Sequence, residues 1–243
     1  MCSVTKFICG GEEMAAYRFK TKIEDSQLVA LYEDRIHHPV GGKGKRTFDI
    51  VFSLLAILST LPFFILLPII IFAVSPGPVF FAHTRIGFKG RAFPCLKFRT
   101  MVPDADQKLK DYLDTNSEAR NEWEKYRKLR DDPRVIPLVG KMMRRLSFDE
   151  LPQFFNVLRG DMSVVGPRPL TTDELKNYGQ ASRHYESARP GITGLWQVSG
   201  RSDVAFSERI ELDCRYVSTC TVATDVGLIA KTIGVLVHGR GAY

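Results

Sequence analysis

Cysteine is scarce. The five residues Cys2, Cys9, Cys95, Cys214 and Cys220 are odd in number and contain no CxxC pair. That excludes a disulfide framework or a cysteine zinc site as the basis of the fold, and it favours a reducing compartment. The histidines (His37, His38, His83, His184 and His238) have no metal-ligand spacing. No GxGxxG or Walker loop occurs, so dinucleotide-fold and P-loop chemistry are excluded. The two tryptophans and eight tyrosines are not interleaved with basic residues, which argues against a nucleic-acid groove. No internal repeat is visible. Acid is in deficit: 34 Lys and Arg against 27 Asp and Glu give a net charge of +7 over 243 residues, which suits an acidic partner such as a phosphorylated substrate or an anionic membrane. With 44% hydrophobic and 25% charged residues the chain is globular in composition, not disordered.

Charge is missing altogether from Ile50 to Val74, a stretch of 25 residues. About 20 apolar residues cross a bilayer core, so this run predicts a membrane helix. It is too long and starts too late for a secretory signal, and it lacks a small-residue cleavage site. Pro62 lies near its middle and Pro68 follows, each removing a backbone donor. Ser59 and Thr60 stand ready to satisfy freed carbonyls. Lys43, Lys45 and Arg46 precede the run and Arg85, Lys89 and Arg91 follow it, so both flanks carry the cytoplasmic signature. A helix that breaks at Pro62 and returns would keep both flanks on one side. The alternative is a straight span that tolerates its proline.

The expected organisation is a lead-in over 1–44, a membrane helix over 45–78 and a catalytic domain over 79–243, with an α+β, mostly helical fold, interfacial amphipathic helices and short strands. Val79–Phe81 and Phe93–Phe98 read as short strands. Asp104–Arg134 reads as one or two surface helices. Leu151, Phe154, Phe155 and Leu158 are spaced i, i+3, i+4, i+7, an amphipathic helix ended by Gly160. Thr172–Ser187 reads as helix, Arg189–Arg201 as loop, and Ala205–Val217 and Asp225–Val237 as helices, the last either interfacial or packed on the core.

The densest chemistry lies in Arg144-Arg145-Leu-Ser-Phe-Asp149-Glu150-Leu-Pro152. Ser147 and Glu150 fit a capping box, with acids at the positive end of a helix. That reading does not need two arginines one turn before two adjacent carboxylates. Beside Arg, a carboxylate can act as a nucleophile on phosphorus, and two carboxylates suit Mg²⁺ when phosphates share its coordination. Both readings stay open on the residues alone. Lys97 and Arg99 alternate with Phe98 and on a strand would face one diphosphate, or simply solvent. Arg168 stands between Pro167 and Pro169, a stiff mount for a phosphate clamp or a structural salt bridge. Asp104-Ala-Asp106 is a weak match to the DxD motif of nucleotide-sugar glycosyltransferases.

Taken together, KRTFD (Lys45–Asp49), SPGPVFF (Ser75–Phe81), KFRTM (Lys97–Met101), RRLSFDELPQFFNVLRGDMSVVGPRPL (Arg144–Leu170), RPGITGLWQVSGRSD (Arg189–Asp203) and GRGAY (Gly239–Tyr243) resemble the bacterial sugar transferases, the monotopic polyprenyl-phosphate phosphoglycosyltransferases, in their compact form. The resemblance implies a re-entrant helix in the inner, cytoplasmic membrane, broken at Pro62, with the catalytic domain on the cytoplasmic face. Leu61 stands where the family usually has Ser before that proline. The resemblance further implies that Asp149 attacks the β-phosphate of a UDP-sugar and releases UMP. Glu150 would help bind Mg²⁺ or activate the acceptor, so Asp149 and Glu150 are the metal candidates. Lys97, Arg99, Arg144, Arg145 and Arg168 are the phosphate candidates. Undecaprenyl phosphate is the implied acceptor, UDP-galactose or UDP-glucose the implied donor, and membrane phospholipid a contact; a homodimer is left open. Competing readings are a non-catalytic scaffold of a polysaccharide assembly complex and a DxD glycosyltransferase that releases UDP.

Overall fold

The computed structural model describes residues 38–126, 129–200 and 205–238. The lead-in as far as residue 37, Arg201 to Asp203 and the GRGAY end lie outside the described residues.

The uncharged run forms two helices, α1 (Gly42–Ser59) and α2 (Leu61–Val74), bent by 59°. The break falls at Thr60. Pro62 occupies the first turn of α2, where a missing N–H costs nothing, so it starts a helix instead of kinking one. Ser59 Oγ and Thr60 Oγ1 both donate to the Ala56 carbonyl, at 3.0 and 2.6 Å, as the freed backbone requires. Pro68 is carried inside α2. Among the described residues no single helix is long and apolar enough to cross a membrane, while the bent pair together has the length and composition. Leu55, Leu58 and Ile69 are 62, 67 and 62% exposed, far more apolar surface than a protein in water leaves uncovered on one element.

Both ends of the pair are tied to the same body. At the start of α1, Lys45 and Asp49 are buried, and the Arg46 guanidinium donates to the carbonyls of Val157 (2.6 Å) and Leu158 (2.9 Å). Near the end of α2, Leu67 and Ile71 are buried with Phe98, Ile136, Val139 and Met143.

Strands β1 (Phe80–Ile86) and β2 (Ala92–Phe98) form an antiparallel hairpin in register from Phe80↔Phe98 to Ile86↔Ala92, longer than the sequence pattern suggested. Helices α3 (Ala105–Thr115), α4 (Ser117–Tyr126) and α5 (Val139–Arg145) follow, then a single 3-10 turn (Phe148–Glu150) and α6 (Gln153–Arg159). The amphipathic periodicity from Leu151 therefore covers a turn before the helix proper. Gly160, at φ 95°, closes α6 as expected.

A second, parallel pair joins β3 (Ser163–Val165) to β4 (Gly191–Thr193), inside a segment the sequence presents as loop. A Cβ at Gly191 would lie 2.1 Å from the Gly166 nitrogen, so glycine is required for the chains to meet. Between them, α7 (Thr172–Lys176) and α8 (Ser182–Glu186) replace the single expected helix, separated at Gly179 (φ 51°). Helices α9 (Leu195–Ser199), α10 (Phe206–Thr219) and α11 (Val222–His238) complete the chain. The main core gathers Val157, Met162, Val165, Tyr216, Val217 and Leu228. Leu228 sets α11 against this core, and Val226 and Ile233 stay 51 and 57% exposed. The architecture is mostly helical α+β with two small sheets.

Candidate active site

The carboxylates sit on the turn between α5 and α6. Arg144 and Arg145 end α5, and Ser147 then adopts a left-handed backbone (φ 55°) that reverses the chain. The Ser147 side chain caps nothing; a residue in that conformation cannot take the extended geometry of an N-cap. The capping-box reading of Ser147 and Glu150 therefore fails, and a genuine box closes between Thr171 and Glu174 instead. Glu150 is turned to β2, where Lys97 Nζ lies 2.7 Å from Glu150 Oε1 and 3.7 Å from Asp149 Oδ2.

Asp149 is 8% exposed and Glu150 half-buried. Burial, joined by the adjacent Glu150 charge, pushes the Asp149 carboxyl up to about 6, against the opposing pull of Lys97 and Arg144. Burial alone would lower the Lys97 ammonium, but Glu150 and then Asp149 outweigh it and raise it. Burial lowers the Arg144 guanidinium, opposed by Asp149; its Nε donates to Thr100 Oγ1 at 2.9 Å. The result is a nearly buried carboxylate beside Lys97 and within the field of Arg144, more basic than an ordinary aspartate.

Asn156 sets this geometry. Its Oδ1 accepts from Leu96 N (2.9 Å) and its Nδ2 donates to Pro94 O (2.8 Å), clamping β2 to α6 on the approach to Lys97. No motif in the sequence marks Asn156. Its signal was a polar residue on the buried face of an amphipathic helix, beside buried Gln153 and Val157.

The other candidates divide. Arg168 is half-buried after β3; its charge reaches Lys97, and its guanidinium carbon lies 5.5 Å from the Trp196 ring centroid. Arg209 approaches the same ring at 5.0 Å. Asp213, 2% exposed, accepts from the Tyr178 hydroxyl at 3.0 Å, and burial raises its carboxyl to about 7, against the Tyr178 hydroxyl and the Arg168 backbone N–H. Arg99 does not join Lys97. The strand ends at Phe98, and the buried Arg99 guanidinium donates to the Ser75 carbonyl, pinning the turn after α2. Arg145 is exposed at the end of α5. Asp104 and Asp106 are exposed at the start of α3, Asp104 lying 4.0 Å from Lys108, a solvated helix end. Among the described residues no group of three His, Cys, Asp or Glu side chains could hold a metal ion, so an ion at Asp149 and Glu150 would draw its remaining ligands from substrate and water.

The bacterial sugar transferase family matches residues 40–239. The chain belongs to that family. The exopolysaccharide production protein ExoY of Rhizobium meliloti is 45% identical over 223 residues, covering 92% of this chain and 98% of its own length. The undecaprenyl-phosphate galactose phosphotransferase of Salmonella typhimurium is 47% identical over 199 residues, 82% of this chain but 41% of that protein. The undecaprenyl-phosphate glucose phosphotransferase of Komagataeibacter xylinus is 36% identical over 216 residues, again 82% of this chain and 37% of its own length. As a member of this sugar transferase family, the chain carries its two candidate carboxylates and their cations inside the matched span.

Proposed function

We propose that this enzyme transfers a hexose 1-phosphate from a UDP-sugar, UDP-galactose or UDP-glucose, to undecaprenyl phosphate and releases UMP, the opening step of polysaccharide assembly. One observation carries the reading: a nearly buried aspartate lies 3.7 Å from Lys97 and within the field of Arg144, on a body that also grips both ends of an exposed apolar helix pair.

An Asp149 oxygen attacks the β-phosphorus. The bond from that phosphorus to the bridging oxygen breaks, and UMP leaves with the electron pair. An aspartyl phosphosugar results. A phosphate oxygen of undecaprenyl phosphate then attacks the same phosphorus, the bond to Asp149 breaks, and the carboxylate is restored as the lipid diphosphate sugar departs. Charge is the obstacle, since an anion approaches an anion twice. At an effective dielectric of about 20, one unit pair at 4 Å costs about 4 kcal/mol. Lys97 and Arg144 offset it and are already in place before the charge develops. Arg168, stiffened by its prolines, serves as the third phosphate contact. Asp149 and Glu150 would hold Mg²⁺, which accepts one or two carboxylates and completes its shell from phosphate and water. When bound, it supplies further neutralisation of the diphosphate. Placing the apolar pair in the inner leaflet keeps the site at the cytoplasmic surface, where phospholipid surrounds the anchor and the acceptor arrives in two dimensions.

Nucleotide release from the purified chain in nanodiscs, with Mg²⁺, undecaprenyl phosphate and a panel of UDP-sugars, tests this. UMP with one donor is the expected outcome. UDP would indicate direct glycosyl transfer, and no nucleotide with any donor would favour a scaffold.

A further inference from the structure

The loop Gly166–Leu170 is fastened on both sides of Arg168. The Gly166 N–H donates to the Thr193 carbonyl (2.9 Å), and the Gly191 N–H to the Pro167 carbonyl (2.8 Å). The Leu170 N–H donates to the Tyr185 hydroxyl (3.0 Å), and the Ile86 N–H to the Leu170 carbonyl (2.9 Å). With Pro167 and Pro169 fixing φ as well, the backbone at Arg168 has little freedom left. Helix α9 starts directly against this loop, since a Cβ at Gly194 would lie 2.1 Å from the Gly166 carbonyl oxygen. That approach sets Trp196 beside Arg168, whose guanidinium carbon lies over the indole, 5.5 Å from its centroid. Trp196 is 5% exposed, and its Nε1 has no hydrogen-bond partner among the described residues, where a buried indole normally finds one. The ring therefore engages its surroundings through its face.

Resting on the transfer reading above, in which Arg168 touches a substrate phosphate, we infer that Trp196 is a positioning residue that holds the Arg168 guanidinium ready for that phosphate without neutralising its charge. A carboxylate partner would fix an arginine equally well but would cancel the charge the substrate needs. The carboxylates that feel Arg168 are engaged elsewhere. Glu174 accepts from Arg85 (3.0 Å) and from the Thr171 N–H (2.8 Å), and Asp213 accepts from the Tyr178 hydroxyl (3.0 Å). An aromatic face attracts a guanidinium through its quadrupole and leaves the positive charge undiminished. The N–H donors along the edge of the guanidinium then stay available for two phosphate oxygens at once. An arginine ordered before the substrate arrives also loses less freedom on binding. Its charge is placed where it matters: it acts on Cys95 and Lys97 of β2, and Lys97 is the cation beside Asp149.

A double-mutant cycle in nanodiscs, with Mg²⁺, undecaprenyl phosphate and the UDP-sugar that yields UMP, tests this. Arg168→Ala is expected to raise the KM of the substrate whose phosphate it holds, and so to tell donor from acceptor. Trp196→Leu should raise that same KM about tenfold and the other by less than about twofold, while Trp196→Phe, which keeps a ring, should raise it by less than about threefold. In the Arg168→Ala chain, Trp196→Leu should add nothing beyond about twofold, whereas a merely structural tryptophan would multiply the two losses. Fluorescence decides if a variant at the site fails to fold. The chain has two tryptophans, so Trp123→Phe leaves Trp196 as the only emitter. Either UDP or undecaprenyl phosphate, added singly, should then change its emission saturably. Independent losses in the double variant, both KM values unchanged in Arg168→Ala, coupling of Trp196→Leu to Arg209→Ala instead, or emission that neither ligand alters would each overturn the assignment. Absence of UMP with any donor from the unsubstituted chain overturns the transfer reading itself, whereas UMP release with independent losses overturns the role of Trp196 alone.

Discussion

Two regions of this protein are built from the same three charges, one lysine and two carboxylates, in opposite surroundings. At the base of α1, Lys45 Nζ lies 2.6 Å from Asp225 Oδ2, 2.9 Å from the Val165 carbonyl and 3.8 Å from Asp49 Oδ1. Asp49 accepts from Ser163 Oγ (2.9 Å) and Val164 N (3.0 Å), and Asp225 from the Tyr216 hydroxyl (2.7 Å). Every charge is surrounded by protein donors or acceptors, and the three side chains are almost fully buried. At the carboxylate pair, Lys97 meets Glu150 at 2.7 Å and Asp149 at 3.7 Å, with a third of the lysine and glutamate side chains exposed. A saturated cluster holds elements together, since removing one member strands the others in low dielectric. The pair beside Lys97 is more open to solvent, and there burial with the adjacent Glu150 charge holds the Asp149 carboxyl above its usual range.

This contrast is sharpest at Asp149. Asp149→Asn should abolish UMP release, by about 10⁴-fold or more, because the asparagine amide cannot form the covalent intermediate. The melting temperature should hold or rise, since a buried carboxylate is removed. Residual turnover within tenfold of the parent would break the covalent mechanism. Lys45→Met should do the reverse, destabilising the fold by about 3–5 kcal/mol while the folded fraction still turns over, as read by denaturation alongside an activity assay. Lys97→Met should cost about 10²–10³-fold in turnover with little change in melting temperature, as expected of an electrostatic group outside a saturated cluster. If Lys97→Met and Lys45→Met were equally destabilising, the distinction would fall.

Asn156→Ala probes the clamp between β2 and α6. Leaving Leu96 N and Pro94 O unpaired should cost about 1–3 kcal/mol and lower turnover through misplaced Lys97, with rescue by Asn156→Asp poorer than by Asn156→Gln because only an amide both donates and accepts. The smallest effect concerns Asp213, a buried carboxylate without a cation in hydrogen-bond contact. Its folded pKa of about 7 exceeds the usual 3.8. The associated stability is therefore full in acid, below the unfolded value, and lost as pH rises through about 7. Melting temperature should fall across that window in the parent and fall less in Asp213→Asn.

Part of the candidate site was legible from residue order. Asp149, Glu150, Lys97, Arg144 and the helix break near Pro62 are local patterns, and the structure brings Lys97 into contact with both carboxylates, with Arg144 contributing its charge to Asp149. Arg99 was misplaced because strand alternation holds only while the strand lasts, and β2 stops one residue short of it. Lys45 and Arg46 read as topology signals, yet their side chains turn inward to bind Asp225 and the end of α6. Their partners are 180 and 111 residues away, and no local rule carries that information.

By itself, then, the order of residues determined a long uncharged apolar run interrupted near Pro62, a carboxylate pair beside arginines, and membership of the sugar transferase family. These depend on composition and spacing within a few turns of chain. Only the tertiary structure decided which cations meet the carboxylates, that Asp149 is nearly buried and so made more basic, and that β4 completes a sheet within an apparent loop. Each of those follows from contacts between distant segments, where burial and hydrogen-bond satisfaction, not local propensity, set the outcome.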